Sequence, residues 1–180
     1  MQPIEPQTLI FRHIQDGDVT SKFSIGDASK VSLKIFIQKE ALEFHRKEIA
    51  KTYVIVEERG LRRVFGYISI VCSEINIAAA HDLDKSLRVN KYKTFSAVKI
   101  ARLAIDKALQ GQGYGTKMVA WCLSLVKDKI MPVVGCRFLI VDAKPDVVGF
   151  YETIGFTMLD TEENRQSKHP LMFSDLYKLG

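Results

Sequence analysis

Apolar and polar positions follow two rhythms along this chain, and the switches between them mark its elements. After Asp27, a residue suited to a helix N-cap, Val31, Ile35, Ala41, Leu42, Phe44 and Ile49 recur at steps of three and four with charges between them, which predicts two consecutive amphipathic helices with these residues inward. Residues 52–57, TYVIVE, are rich in β-branched side chains, and a polar ERGLRR turn joins them to VFGYISIVCSEI at 64–75, so a β-hairpin is expected. The stretch 78–94, AAAHDLDKSLRVNKYKT, fits neither rhythm and reads as a loop with one short helix. AVKIARLAID restores a strand pattern and leads through a glycine-rich loop into a helix over 114–127, with Met118, Cys122 and Leu125 on one face. CRFLIVDA predicts the next strand. Pro145 then suits the first turn of a helix that Gly155 can end in a left-handed conformation, before FTML and a last strand over 171–179. Strand, loop, helix and strand form a crossover unit, so the class is α+β (α/β-like) with a mixed sheet.

Size and composition change this picture little. A chain of 180 residues suits a single domain over 1–180, and 47% apolar with 26% charged residues excludes a disordered chain, a collagen-like repeat and a disulfide scaffold. The longest nearly apolar run, 118–126, is too short for a membrane helix, and MQPIEPQ lacks a basic segment before an apolar one, so a cytoplasmic protein without a membrane partner is expected. Cys72, Cys122 and Cys136 each stand in apolar sequence and read as reduced core thiols. With no CxxC spacing and His13, His45, His81 and His169 scattered singly, no metal site is expected. Lys and Arg total 26 against 21 Asp and Glu, a formal charge of +5, which favours a polyanionic partner without identifying it.

The loop Gln110-Gly111-Gln112-Gly113-Tyr114-Gly115 lies between a strand and a helix, where unpaired backbone N–H groups and the positive helix end can receive an anion. A tight strand-to-helix turn would use the same glycines. The dinucleotide fingerprint needs G-x-G-x-x-G, whereas this loop runs G-x-G-x-G; the nucleotide P-loop ends in G-K-[ST], whereas here the order is Gly115-Thr116-Lys117. Both classes are disfavoured.

ARLAIDKALQGQGYG, followed about forty residues later by GFYETIGF, resembles the GNAT-type N-acetyltransferases, whose Q/R-x-x-G-x-G/A loop grips the pyrophosphate of acetyl-coenzyme A. The resemblance implies a GNAT acyl-CoA N-acyltransferase fold, a mixed central sheet of about six to seven strands flanked by helices. Gln110, Gly113 and Gly115 match the motif's defined positions, with Gly111, Gln112, Tyr114 and Thr116 supplying neighbouring backbone contacts. The strand end Leu103, Ala104 and Ile105 is expected to splay from the strand near 139–141, the main chain of Leu103 and Ile105 pairing with pantetheine as a pseudo-strand would. Tyr151 matches the tyrosine that such enzymes use as the acid for the departing thiolate; its alternative is packing beside Val147, Val148 and Ile154, while Phe150 and Phe156 read as core. Glu74 is the best carboxylate for a general base, although a solvated surface glutamate reads as well.

A longer stretch, from FSIGDASKVSLKIFIQKEALEFHRKEIAKTYVIVEE through GYISI to the end, resembles the acetyltransferase toxins of bacterial type II toxin–antitoxin modules. That resemblance implies acetyl transfer to the α-amino group of aminoacyl-tRNA, a ribbon-helix-helix antitoxin as partner, and a homodimer. The chain departs from it in the long 78–94 excursion and in Gln112, where toxins often carry Arg or Lys. Arg46, Lys47 and Lys51 cluster in the early helices and Lys85, Arg88, Lys91 and Lys93 in the excursion; with Lys99 or Arg102 on the motif strand, these are the candidate tRNA contacts, against an ordinary solvated surface. Acetylation of a small amine or a protein N-terminus, and an inert module that binds acyl-CoA or a partner, remain as alternatives.

Overall fold

The computed structural model describes residues 8–77 and 92–179. Among the described residues, seven strands hydrogen-bond in the order β1-β2-β3-β4-β5-β7-β6. They are β1 (Leu9–His13), β2 (Lys51–Glu57), β3 (Val64–Asn76), β4 (Thr94–Ile105), β5 (Phe138–Asp142), β6 (Thr157–Met158) and β7 (Leu171–Asp175). Among the described residues, five α-helices accompany them: α1 (Val31–Lys39), α2 (Ala41–Arg46), α3 (Tyr114–Leu125), α4 (Val148–Thr153) and α5 (Glu162–Arg165). β4 and β5 run parallel, and the other registered pairs are antiparallel, so the sheet is mixed. The excursion starts its strand at Thr94; residues 78–91, including Lys85, Arg88 and Lys91, lie outside the described residues.

The chain divides into two compact units, the described parts of Met1–Ile70 with Arg102–Lys117, and of Val71–Ala101 with Met118–Gly180. In the first, Asp27 accepts from the Ser29 N–H at 2.9 Å and caps a short 3-10 turn that leads into α1. α1 and α2 bury Phe36, Ile37 and Ala41 against Val54, Val56, Tyr67 and Ala104. The expected inward stripe is thus partly wrong. Val31, Ile35 and Ile49 are exposed, because the chain breaks between two short helices at Glu40 and the buried face moves to Phe36 and Ile37. Tyr67 packs edge-on to Phe23 and tilted against Phe36 and donates its hydroxyl to the Leu33 carbonyl at 2.8 Å, and burial raises its pKa. Tyr67→Phe removes that hydrogen bond and is expected to cost about 1 kcal/mol, read as a lowered urea midpoint with an unchanged slope.

The β2–β3 hairpin forms as expected, with one irregularity: Ile55 pairs with Gly66 and Val56 with Val64, so Phe65 is an extra residue on β3. A Cβ on Gly66 would fall 2.9 Å from Ile105 Cδ1, which explains glycine where β3 meets the end of β4. β1, which pairs with β2 from Leu9↔Glu57 to His13↔Tyr53, carries no strong alternation and is not evident from the sequence pattern.

In the second unit, Ile75, Ile77, Ala97, Phe138, Ile140, Leu159 and Phe173 form one buried cluster. Pro145 opens a 3-10 turn that runs into α4, and Gly155 ends it at φ 93°. β7 stops at Asp175, short of the expected strand end. Cys122 and Cys136 are buried thiols, as expected, whereas Cys72 is exposed: it sits on the solvent side of the β3 alternation. No described helix is long and apolar enough to cross a membrane.

Candidate active site

β4 ends at Ile105 and the chain turns through 106–113 before α3 begins at Tyr114. Gly111 and Gly113 adopt φ 75° and 77°, the left-handed region that side chains avoid, and a Cβ at either would meet no protein atom within 4 Å. The Gly113 carbonyl accepts from the Lys117 N–H at 3.1 Å, so Gly113 stands at the N-cap of α3. The N–H groups of Tyr114, Gly115 and Thr116, in the first turn, then have no acceptor within the helix. Left-handed glycines, open space and a helix N-terminus together fit an anion such as a diphosphate. Lys117, 5.1 Å from the centre of the Tyr114 ring, adds a positive charge beside the loop that the motif did not single out.

The side chains of the loop are committed to holding its shape. Gln110 Nε2 donates to the carbonyls of Ile25 and Ile105, both at 2.9 Å, and Gln112 Nε2 donates to that of Ala108 at 3.0 Å. Both glutamines can therefore offer a ligand their main-chain N–H groups, while their side-chain NH2 groups serve the loop itself.

Registered β4–β5 pairs run from Ala97↔Phe138 to Ile100↔Val141 and end there. Leu103, Ala104 and Ile105 lie past that point. Ala104 is buried in the first core, and the Ile105 carbonyl is already held by Gln110.

Tyr151 sits on α4 in the second unit, 5% exposed, with Phe150 and Phe156 edge-on to its ring at 5.0 and 5.4 Å. Burial, with a smaller contribution from the Cys122 sulfur, raises the phenol pKa, and burial pushes the Cys122 thiol up to about 12. The phenol is thus a protonated donor throughout the neutral range. Phe156 is core as expected, while Phe150 is half-buried. Glu74 is exposed on β3, the position of a solvated carboxylate.

The basic candidates behave differently from one another. Arg46 pairs with Asp16, Lys47 with Glu43 at 2.8 Å, and Lys51 with Glu48 at 2.6 Å, so the early-helix cluster is neutralised locally. Lys99 pairs with Asp142. Arg102 is half-buried with its guanidinium 3.8 Å from the centre of the Phe36 ring, and no described residue gives it a carboxylate partner. Lys93 is exposed, and Lys91 lies outside the described residues. Among the described residues, no group of three or more His, Cys, Asp or Glu is placed to hold a metal ion.

A strand turning through left-handed glycines into a helix N-terminus is a geometry suited to a phosphate-bearing ligand. Residues 24–172 match the family model for an acetyltransferase (GNAT) domain, and the chain belongs to that family: it is an acetyl-CoA-dependent N-acetyltransferase with the GNAT fold. It is 25% identical over 156 residues, 84% of this chain and 86% of the other, to a tRNA-acetylating toxin of Mycobacterium tuberculosis. The structure of AtaT complexed with acetyl-methionyl-tRNAfMet is similar at a TM-score of 0.80 and 27% identity, covering 96% of this chain and 97% of that one. A tyrosine-to-phenylalanine variant of KacT is similar at a TM-score of 0.81 and 26% identity, covering 97% of this chain and all 100% of that one.

Proposed function

We propose that this enzyme transfers acetyl from acetyl-CoA to the α-amino group of aminoacyl-tRNA, acting in the cytoplasm as one GNAT domain over 1–180, with a ribbon-helix-helix antitoxin as partner and a homodimer as the assembly. The observation that carries the acceptor assignment is likeness over nearly the whole chain to AtaT bound to acetyl-methionyl-tRNAfMet and to a tRNA-acetylating toxin. For the partner it is likeness, at a TM-score of 0.75 and 25% identity, to a complex of AtaT with the C-terminus of the antitoxin AtaR.

Acetyl-CoA supplies the activated thioester. In this reading the main-chain N–H groups of Gly111, Gln112, Gly113, Tyr114, Gly115 and Thr116 receive its diphosphate, Gln110 holds the loop in register, and the main chain of Leu103 and Ile105, beyond the last registered pair with β5, borders pantetheine. Tyr151 donates its phenolic proton to the departing thiolate. An α-amine, with a pKa near 8, is appreciably neutral at physiological pH, unlike a lysine amine near 10.4, so an α-amine acceptor makes little demand on a base. That fits an exposed Glu74. Arg102, for which no described residue supplies a carboxylate partner, is the best placed of the basic candidates to meet an acceptor phosphate, with Lys93, Lys91 and Arg46 as outlying contacts.

Incubating the enzyme with labelled acetyl-CoA and a mixture of charged tRNAs tests the reading. Label is expected on at least one aminoacyl-tRNA. An enzyme that acetylates a small amine or a peptide N-terminus while leaving every charged tRNA unlabelled rejects it.

A further inference from the structure

We propose that Asp106 is the positioning residue of the glycine loop, the group that holds the loop amides in the geometry a diphosphate requires. This rests on the reading that the loop holds the diphosphate of acetyl-CoA. Asp106 follows the last residue of β4 and is fully buried, 0% exposed. A buried carboxylate is costly unless its oxygens are occupied, and here the donors come from the loop itself and from the segments it must be joined to.

One oxygen accepts from the Ala108 N–H at 2.9 Å, which fixes the first bend of the loop, and from Arg63 Nη2 at 3.3 Å on the hairpin. The other accepts from the Ser24 N–H at 2.8 Å. The main chain repeats these links: the Asp106 N–H donates to Phe65, the extra residue of β3, at 2.7 Å, and the Lys107 N–H donates to Ser24 at 2.7 Å. Gln110, reaching Ile25, closes the same segment from the far side of the bend. The loop is thereby pinned at both 106–108 and 110, while Gly111 and Gly113, past the pins, carry no side chain to restrain them. A glycine pair free to adopt left-handed angles presents convergent N–H groups reproducibly when the residues before it are held, which is the sense of preorganisation here.

Asp106 touches no reacting atom and acts through the loop. Its removal should therefore weaken the diphosphate contact and leave the thioester end alone. Asp106→Asn keeps the shape and removes the charge. The variant is compared with the wild type using two acetyl donors, acetyl-CoA and S-acetyl-pantetheine, the second lacking the diphosphate. The KM for acetyl-CoA is expected to rise about tenfold with kcat at saturation within about twofold, and the KM for S-acetyl-pantetheine to stay unchanged. An equal rise for both donors overturns the proposal, since a general loss of structure would do that, and so does an unchanged KM for acetyl-CoA. Wild-type enzyme with equal KM for the two donors instead rejects the diphosphate reading of the loop. If Asp106→Asn does not fold, as judged by thermal unfolding, Gln110→Leu removes the other pin from an exposed position. The same two donors are then compared, and a rise in KM confined to acetyl-CoA supports the proposal while an equal rise or no rise overturns it.

Discussion

Tyr151→Phe is expected to lower kcat by about a hundredfold or more while the fold and the affinity for acetyl-CoA stay within about twofold, because the change deletes one hydroxyl and keeps the buried ring. The ring packs against Phe150 and Phe156, so the phenyl group retains its apolar contacts. The pH profile adds a second readout. Burial raises the phenol pKa, so the protonated form, the one that can donate, persists to higher pH than in free tyrosine. The wild-type rate should accordingly rise with pH as the acceptor amine loses its proton, and show no fall assignable to Tyr151 below about pH 10. Turnover by Tyr151→Phe equal to wild type would remove Tyr151 from the acid role.

Gly113→Asp is expected to weaken acetyl-CoA binding by about a hundredfold, through two separable effects. Gly113 has φ 77°, a conformation that costs an ordinary L-residue about 1–2 kcal/mol. Beyond its chain neighbours, no protein atom lies within 4 Å of a Cβ built there, so the Cβ itself has room. The remainder is the carboxylate facing a diphosphate at a helix N-terminus. Gly113→Asn separates the two, since Asn adopts left-handed angles more readily than most residues and is close in shape to Asp without its charge. Calorimetric titration should find the Asn variant within about tenfold of wild type and the Asp variant well below it. Equal affinity in the wild type and Gly113→Asp would mean that the loop does not meet the phosphates.

Local signals account for most of the fold. The β-branched run at 52–57, the polar turn after it and the 64–75 strand specify the hairpin, and Pro145 and Gly155 bracket α4 through backbone constraints that act within a few residues. The glycine loop is equally local: its angles belong to Gly111 and Gly113 themselves. Where the pattern misled, the cause was tertiary. Val31, Ile35 and Ile49 share helical spacing with truly buried neighbours, yet a three- or four-residue period fits more than one stripe, and contact with Val54, Val56 and Tyr67 selected Phe36 and Ile37. Cys72 stands among apolar residues, but strand alternation near the end of β3 turns it outward. The 26 basic residues suggested a polyanion partner, and the fold spends several of them on its own acids: Arg12 and Arg62 on Asp18, Arg63 on Asp106, Arg46 on Asp16.

Sequence order was enough to specify the class of fold and the left-handed glycine turn, because each depends on backbone preferences or on short, ordered spacings, whereas Tyr151 was singled out through the family resemblance. The joining of those parts was not legible. Asp106 and Arg63 are 43 residues apart and Asp106 and Ser24 are 82 apart, and neither pairing leaves a periodic trace. A buried carboxylate takes its meaning from whichever donors the folded chain brings to it, so the support beneath the loop became visible only in three dimensions.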